Sequence, residues 1–365
     1  MMIIVTIVVF LLILTILVVA HEWGHFITAR LFGVHVDEFA IGFPPRAFKI
    51  QLKKMILTIN WLPLGGFVRL KGEQGEDAKD ADSFAAKPIW QRLIILAAGV
   101  GMNFILAVVL FCIGFNVGMP VDLSDYTGDG MIRDRGVIIT QVMKDTPASK
   151  AEVKPGDRIT SIDGKNFSTY KEVTPYLESQ SGKTISIVVH RGGRDITLSP
   201  TIQTITFTSR DESGKEITVQ KPGLGVALTD SGIVSYPFFE SILVAFSATG
   251  IMIYTIVAFL LHAFQTLVFS DFSGPVGIAA YTGVAIQEGF SHVLLLMIQL
   301  SLSLAILNIL PLPALDGGRA LFAIIEKFRG KPLPRNAENI AHIIGFAALM
   351  IVALLATIKD VRALF

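Results

Sequence analysis

The sequence predicts a polytopic α-helical membrane protein that carries an inserted α+β module. Of its 365 residues, 52% are hydrophobic and only 17% are charged, and the mean hydropathy is +0.60. Soluble globular proteins carry about 25% charged residues, so this composition is typical of an integral membrane protein. Five stretches lack Asp, Glu, Lys and Arg over a length that could cross about 30 Å of hydrocarbon. They are residues 1–21, 93–121, 241–270, 289–315 and 339–358.

The composition also limits the kinds of site that the chain can build. Its single cysteine, Cys112, lies in an apolar run, so neither a disulfide framework nor a thiolate zinc site is expected. Any metal must therefore be held by His, Asp or Glu. The net charge of +1 gives no indication of a nucleic-acid partner, and we expect none. Residues 1–20 lack a basic segment, so we expect the first apolar run to remain as a membrane span rather than a cleaved signal peptide.

The segment 34–71, between the first two apolar runs, has the pattern of short β-strands. "RAFKIQL" (46–52) and "MILTINW" (55–61) alternate in polarity and lie between Gly and Pro turn signals, as strands do. Because the segment is apolar and close to two spans, we predict that it is a membrane-associated β segment. A surface loop with hairpins is the alternative interpretation.

Residues 136–200 have a different, water-soluble character. They contain alternating strands, Gly-Asp turns and a short helix-like stretch, "TYKEVTPYLES" (169–179), which together predict a small α+β module. Its "KPGDRITSIDG" (154–164) resembles the PDZ-domain signature of bacterial proteases. We therefore predict one PDZ domain over residues 130–203.

The motif His21-Glu22-x-x-His25 lies at the end of the first apolar run and matches the zincin pattern. Positions i and i+4 share a helix face, so both imidazoles can reach one Zn²⁺ while Glu22 approaches the reacting water. Ionisable groups at this depth are costly unless they are paired or bind a metal; histidines that merely end the span at the headgroups are the alternative. A catalytic zinc usually takes three protein ligands, and His35 and Asp37 are available locally.

A better third ligand is Asp316, in the distant stretch "NILPLPALDGGRALF" (308–322). Pro311 and Pro313 break an apolar helix there and free backbone carbonyls. An aspartate at such a break needs a partner, and Zn²⁺ would supply one. The alternative is that Asp316 is the N-cap of the helix that follows.

Together these motifs resemble the site-2 protease family of intramembrane zinc metalloproteases. HExxH on the first span, a PDZ-like insertion and "NILPLPALDGG" on a late span carry the resemblance. "LPLGGFVRLKGE" (62–73) is similar to the family's membrane-associated β segment, and "RLIILAAGVGMNFILA" (92–107) to its GxxxNxxxA helix. The order of segments resembles the bacterial RseP/RasP group. Two departures are "GFPP" (42–45) in place of GFGP, and Gly99-Val100 in place of Gly-Pro.

The resemblance implies a Zn²⁺ cofactor, with His21, His25 and Asp316 as ligands and Glu22 as general base. The expected reaction is hydrolysis of a peptide bond within a transmembrane segment. A helical substrate must unwind before water can attack it, and an exposed strand edge within the β segment could pair with the unwound chain. Further substrate contacts are expected at Asn308, which the resemblance implicates in oxyanion stabilisation, and at Pro311, Gly65, Gly66 and Asn103.

The number of spans follows from the need to place His25 and Asp316 at the same depth. Basic residues cluster within 30–71 and 319–335, and the positive-inside tendency puts both clusters in the cytosol. The apolar run 241–270 must then cross the membrane an even number of times or not at all. We predict about four transmembrane helices and one membrane-embedded or interfacial helix, whereas hydropathy alone predicts five spans.

These expectations define seven segments and a location. The segments are 1–31 (first span), 34–71 (β segment), 92–118 (second span), 130–203 (PDZ domain), 204–288 (including the membrane-embedded helix 238–268), 289–330 (third span, with Asp316) and 338–358 (fourth span). We expect a multi-pass protein of the bacterial inner membrane, with the site near the cytoplasmic side and the PDZ domain extracytoplasmic.

The expected partners are the lipid bilayer and transmembrane protein substrates. The resemblance suggests membrane-bound anti-sigma factors or remnant signal peptides. The PDZ domain could bind the exposed C-terminus of a substrate or act as a steric filter against bulky ectodomains. Two alternatives for the whole chain are a zinc or ion transporter and a catalytically inactive PDZ scaffold.

Overall fold

The computed structural model describes residues 2–52, 55–73, 77, 79–124, 126–210, 216–266, 272–331 and 333–364. The chain divides into two compact units. The first comprises Met1–Ile113, Phe239–Ile286 and Val293–Phe365, and the second comprises Gly114–Phe238 and Gln287–His292. All of the predicted catalytic and metal-binding residues belong to the first unit, and the α+β module belongs to the second.

The described residues form nine helices and ten strands. The helices are α1 (Met2–Leu31), α2 (Ile89–Val117), α3 (Pro147–Lys150), α4 (Tyr170–Ser179), α5 (Phe238–Thr266), α6 (Pro275–Glu288), α7 (Phe290–Ile309), α8 (Asp316–Arg329) and α9 (Arg335–Leu364). The strands are β1 (Val36–Gln51), β2 (Ile56–Leu70), β3 (Met119–Asp122), β4 (Met131–Val142), β5 (Arg158–Ile162), β6 (Ile187–Arg191), β7 (Arg194–Leu198), β8 (Gln203–Arg210), β9 (Glu216–Gly223) and β10 (Val226–Ser235).

Five helices of the described chain, α1, α2, α5, α7 and most of α9, are long and apolar enough to cross a membrane. Helix α1 has 30 residues, which is about 45 Å at 1.5 Å per residue and exceeds the roughly 30 Å of a hydrocarbon core. The predicted third span, 289–330, is two helices in the structure, because the chain breaks between α7 and α8. Of the predicted helix 238–268, residues 267 and 268 lie outside the described residues.

Helix α5 contacts the end of α2 directly and is connected to the end of α9 through Phe272. Near its start, Ser241 Oγ lies 3.2 Å from Cys112 Sγ, in the last part of α2. Towards its other end, the ring of Phe259 lies 5.2 Å from that of Phe272. Lys359 Nζ, near the end of α9, donates to the carbonyl of Phe272 at 2.6 Å. The start of α5 is thus connected to the C-terminal end of α2, and its later part is connected to the C-terminal end of α9.

Helix α6 lies against the C-terminal end of α9 and the start of α1. Asp360 of α9 is buried, and its Oδ2 accepts the backbone N–H of Gly277, in the first turn of α6, at 2.8 Å. This bond satisfies one of the free donors at a helix N-terminus. Further along α6, a Cβ built at Gly283 would lie 3.2 Å from Thr6 Oγ1, near the start of α1. The absence of a side chain at Gly283 therefore lets α6 approach α1 closely.

Strands β1 and β2 form a strongly bent antiparallel sheet. The central stretch 38–41 of β1 is paired on both sides, with 66–69 and with 56–59 of β2. The last part of β2 is therefore an outer strand of this sheet. Glu38, in the central stretch, is 1% exposed; its carboxylate accepts hydrogen bonds from Thr58 and Arg46 and forms an ion pair with Arg69. A buried carboxylate persists only when it is paired in this way.

The second unit is built on a six-stranded sheet in the order β3-β10-β4-β5-β6-β7. Its core consists of apolar residues from the strands and α4: Val137, Ile139, Ile159, Ile162, Val173, Leu177, Ile187 and Val189. The sheet extends beyond the predicted range 130–203, since β3 precedes that range and β10 follows it. Strand β10 pairs with β4 across about ninety residues of chain, and the local periodicity of a sequence carries no signal for so distant a partner.

Candidate active site

The two histidines of α1 end a buried stripe on one face of that helix. Ile13, Leu17, His21 and His25 are spaced four residues apart, and all four are buried. Residues at this spacing share a helix face. Both imidazoles therefore point into the first unit, continuing the apolar stripe that holds α1 in place.

Asp316 completes a group of three with these histidines, although 295 positions separate it from His21. Its Oδ2 lies 3.0 Å from His21 Nε2 and 3.3 Å from His25 Nε2. The two Nε2 atoms are 3.2 Å apart. Within the part of the chain that the structure describes, these residues form the His/Cys/Asp/Glu group able to hold a metal ion.

The spacing and chemistry of the three atoms fit a zinc ion. Donor atoms bonded at about 2.0–2.1 Å to a tetrahedral Zn²⁺ are about 3.3 Å from one another. The triangle formed by the three side chains has edges of 3.0, 3.2 and 3.3 Å. Two imidazole nitrogens and one carboxylate oxygen are also a donor set that catalytic zinc sites use, with a fourth position left for water.

Helix α2 forms the wall behind this group. The backbone carbonyl of Ile95 lies 2.8 Å from His25 Nδ1 and can accept its proton, which leaves Nε2 of that ring free to bind a metal. A Cβ built at Gly99 would lie 2.8 Å from His21 Nε2 and closer still to His25 Nε2. Gly99 is thus required for the two rings to fit, and the sequence analysis did not identify it as a site residue.

Glu22 is held by strand β2. The backbone N–H of Val68 donates to Glu22 Oε2 at 3.0 Å. A Cβ built at Gly66 would lie 3.7 Å from Glu22 Cγ, so the strand passes close to this carboxylate. No sequence pattern predicts this role of Val68, because its contribution is a backbone N–H, which any residue except proline supplies.

Asp316 lies at the first turn of α8, just after the helix break. Leu315, and not Asp316, is the N-cap, so the N-cap interpretation of Asp316 does not describe this helix start. The helix dipole favours a carboxylate in the first turn. A Cβ at Gly317 would lie 2.5 Å from the carbonyl oxygen of Ile309. The glycine therefore lets the broken segment pack directly on α8 and carry Asp316 to the histidines.

A cavity of about 290 Å³ adjoins the group. Its lining includes Glu22, His25, Asp316, the β2 residues 67–70, Glu73 and Arg319. Arg319 of α8 forms an ion pair with Glu73, which follows β2. The cavity thus connects Glu22, His25 and Asp316 with the outer strand of the β1–β2 sheet.

Ion pairs stabilise the turn that carries Glu73. Lys71 Nζ lies 2.7 Å from a carboxylate oxygen of Asp80 and 2.8 Å from one of Asp82. The hydrogen bond from Lys71 holds the pKa of Asp82 below its usual range. The hydrogen bonds to Asp80 and Asp82 in turn raise the pKa of Lys71. Lys71 and Asp82 therefore stay charged near neutral pH, and the ion pair between them persists.

The predicted substrate-contacting residues lie in different surroundings. Asn308 Nδ2 is 3.4 Å from His21 Nε2, beside the proposed zinc ligands. Gly65 lies on the outer part of β2, against the ring of Phe43, and next to Gly66. Pro311 is exposed at the helix break. Asn103 is 0% exposed behind His21, and the substrate roles of all these residues remain predictions.

Residues 9–352 of the chain match the model of a family described as peptidase family M50. The zinc metalloprotease RasP of Oceanobacillus iheyensis is 30% identical, over 99% of this chain and 99% of that protein. The regulator of sigma-W protease RasP of Bacillus subtilis is 29% identical, also over 99% of each chain. A solved PDZ domain of an SdrC-like protein from Listeria monocytogenes is 28% identical over 27% of this chain and 92% of its own, with a TM-score of 0.22.

The whole-length match selects the protease interpretation over the transporter and the inactive scaffold. The relatives are named zinc metalloproteases, and they align with this chain from end to end. The prediction of a zinc cofactor is confirmed in the same way. The chain belongs to peptidase family M50, the site-2 proteases, and is a multi-pass membrane zinc metalloprotease.

Proposed function

We propose that His21, His25 and Asp316 bind the catalytic zinc and that Glu22 is the general base for cleavage within a transmembrane segment. The observation that carries this proposal is the triangle of His21 Nε2, His25 Nε2 and Asp316 Oδ2, with edges of 3.0–3.3 Å. The triangle forms from helices that are far apart in sequence, and all of its donor atoms face one point.

A zinc ion in this position would polarise the scissile carbonyl and make a water molecule acidic near neutral pH. Glu22 takes the proton of the attacking water and later gives it to the departing amine. Its Oε2 is held by the N–H of Val68, which fixes the carboxylate and leaves Oε1 for proton transfer. Asn308, whose Nδ2 lies 3.4 Å from His21 Nε2, would donate a hydrogen bond to the carbonyl oxygen as negative charge develops there.

The substrate would bind to the outer strand of the β1–β2 sheet. Residues 67–70 line the cavity that contains Glu22 and Asp316, so a chain added to this edge would pass over both. An unwound transmembrane segment gains main-chain hydrogen bonds in this way, which offsets those lost from its helix. Gly65 and Gly66 present no side chains at their two positions of the strand, and Asn308 and Pro311 would line the same groove.

We further propose that α5 does not cross the membrane and that the protein has four spans. The contacts of Ser241 with Cys112, and of Phe259 and Lys359 with Phe272, support this. They connect both parts of α5 to the ends of α2 and α9 that point away from the metal-binding group. If α5 crossed, α7 would run in the wrong direction to bring Asp316 to the histidines.

Cysteine labelling tests this topology. In a Cys112→Ser background, single cysteines are placed at Gln265 near the end of α5, at Lys165 in the α+β module and at Lys331 after α8. A membrane-impermeant maleimide is then added to intact spheroplasts. Four spans predict labelling at positions 265 and 165 but not at 331. Labelling at 265 only after permeabilisation would contradict the proposal.

The proposed location is the bacterial inner membrane, with the site near the cytoplasmic face and the PDZ-like module outside. The Bacillus subtilis relative is named as a regulator of sigma-W. We propose that the substrates of this chain are membrane-bound anti-sigma factors that another protease has already shortened, or remnant signal peptides. The PDZ-like module would act as a filter against bulky ectodomains. A groove-blocking substitution in the module that abolished all cleavage would instead favour recognition of a C-terminus.

The decisive experiment compares wild type with Glu22→Gln in detergent. Bound zinc is measured by atomic absorption, and each protein is incubated with a transmembrane-helix substrate of each class. We expect one zinc per chain in both proteins and cleavage by wild type alone. Because Gln keeps the size of Glu but cannot take a proton, cleavage by the variant would refute the assignment of the base. Zinc binding that survives His21→Ala would refute the ligand set.

A further inference from the structure

The two histidines of the metal-binding group have different neighbours at Nδ1, the ring nitrogen that does not face the metal position. A neutral imidazole has one protonated nitrogen, so a ring that binds a metal through Nε2 carries its proton on Nδ1. That proton needs an acceptor, which also fixes the ring orientation. For His25 the acceptor is the carbonyl of Ile95 on α2, at 2.8 Å.

For His21, the group that faces Nδ1 is the side chain of Asn103, two turns further along α2. Asn103 is 0% exposed, and its Nδ2 lies 3.4 Å from His21 Nδ1. Its Oδ1 is buried and has no hydrogen-bond partner among the described residues. A protonated Nδ1 of His21 can only donate, and the amide nitrogen of Asn103 cannot accept a hydrogen bond, whereas its oxygen can. A half-turn of the amide about the Cβ–Cγ bond exchanges its oxygen and nitrogen, and it brings Oδ1 to the nitrogen that carries the proton.

We propose that Asn103 is a positioning residue whose side-chain oxygen accepts the Nδ1 proton of His21 and so directs Nε2 of that ring at the metal. The inference rests on the proposed function, in which His21 is a zinc ligand. It replaces the substrate contact predicted for Asn103, because a fully buried side chain behind His21 is screened from a substrate in the cavity. Helix α2 then orients both histidine ligands, one through Ile95 and the other through Asn103.

The test measures the zinc affinity of the full-length protein in detergent, by competition with a chromophoric chelator. Asn103→Leu keeps the approximate size but has no acceptor, and Asn103→Asp restores an acceptor. Ser301→Ala is the matched control. The hydroxyl of Ser301, on α7, donates to the backbone carbonyl of Asn103 at 2.9 Å, so this variant removes a different hydrogen bond at the same residue of α2 without touching His21.

We expect Asn103→Leu to bind zinc about 10- to 100-fold more weakly, the usual loss when the partner of a metal-binding histidine is removed. Asn103→Asp and Ser301→Ala should stay within about threefold of wild type, or bind more tightly in the case of Asp. A Leu variant with normal zinc affinity, even one that has lost cleavage, would overturn the inference. So would an Asp variant as weak as the Leu variant. Unchanged zinc affinity in His21→Ala would instead overturn the ligand set itself, so the two failures are distinguishable.

Discussion

Substituting Gly99 by alanine tests the packing of α2 against the metal-binding group. The added Cβ would lie 2.8 Å from both Nε2 and Cε1 of His21, whereas ordinary contacts begin at 3.4 Å. The His21 ring must therefore retreat by at least 0.6 Å, the difference between these distances, and His25 by more. Catalytic groups need placement within about 0.5 Å, and a displacement of about 1 Å can cost about 100-fold in rate. We expect kcat/KM to fall at least about 100-fold, or about 2.7 kcal/mol, with weaker zinc binding.

Gly101→Ala is the matched control for this substitution. It lies on the same helix, and among the described residues no heavy atom comes within 4 Å of a Cβ built there. Both variants gain the same helix propensity, about 1 kcal/mol for Gly to Ala, so neither should unfold more easily on that account. Cleavage of a transmembrane substrate and zinc content are measured for both. If Gly99→Ala matched Gly101→Ala in both assays, the close approach of α2 to the histidines would be refuted.

Three further substitutions probe other parts of the structure. Ala314 has φ +81°, so Ala314→Gly should relieve left-handed strain and stabilise the protein by about 1 kcal/mol; an unchanged thermal midpoint would argue against this. Arg191→Ala should leave the fully buried Asp157 carboxylate without its ion pair and lower the free energy of unfolding by about 3–5 kcal/mol. Substitution of the exposed Arg194 by alanine should lower it little, and urea unfolding of both variants measures the difference. Asp360→Ala should remove the hydrogen bond at the start of α6. Amide hydrogen exchange there should become faster by the factor that corresponds to a loss of about 1 kcal/mol in local stability. Unchanged exchange would contradict this role of Asp360.

Sequence patterns predicted the elements whose signals are local. The spacing of His21 and His25 placed both rings on one helix face, and the break before Asp316 marked an aspartate in need of a partner. Alternation within 34–71 predicted strands, and the structure has β1 and β2 there. Each of these signals lies in residue types within a few turns or strands, where periodicity is informative.

The parts that sequence could not predict depend on backbone groups or on distant pairing. The carbonyl of Ile95 and the N–H of Val68 position the site, but backbone groups are common to almost every residue. Gly99 is required because two rings from another helix approach it, and that crossing is a tertiary property. Strand β10 joins its sheet only after the β8–β9 hairpin, so no local pattern assigns it to the module.

The distribution of charge around the cavity explains how water reaches a hydrolytic site in a chain built for lipid. On one side of His21 the α1 stripe is apolar, with Ile13 and Leu17 each 2% exposed. On the other side the cavity is bordered by Arg69, Glu73 and Arg319, and charged groups keep water nearby because removing it is costly. Among the described residues, this charged border marks the direction from which water and protons can enter. That direction is the end of α1 where the basic residues cluster, so the positive-inside tendency and the supply of water both place the site towards the cytoplasmic face in our proposal.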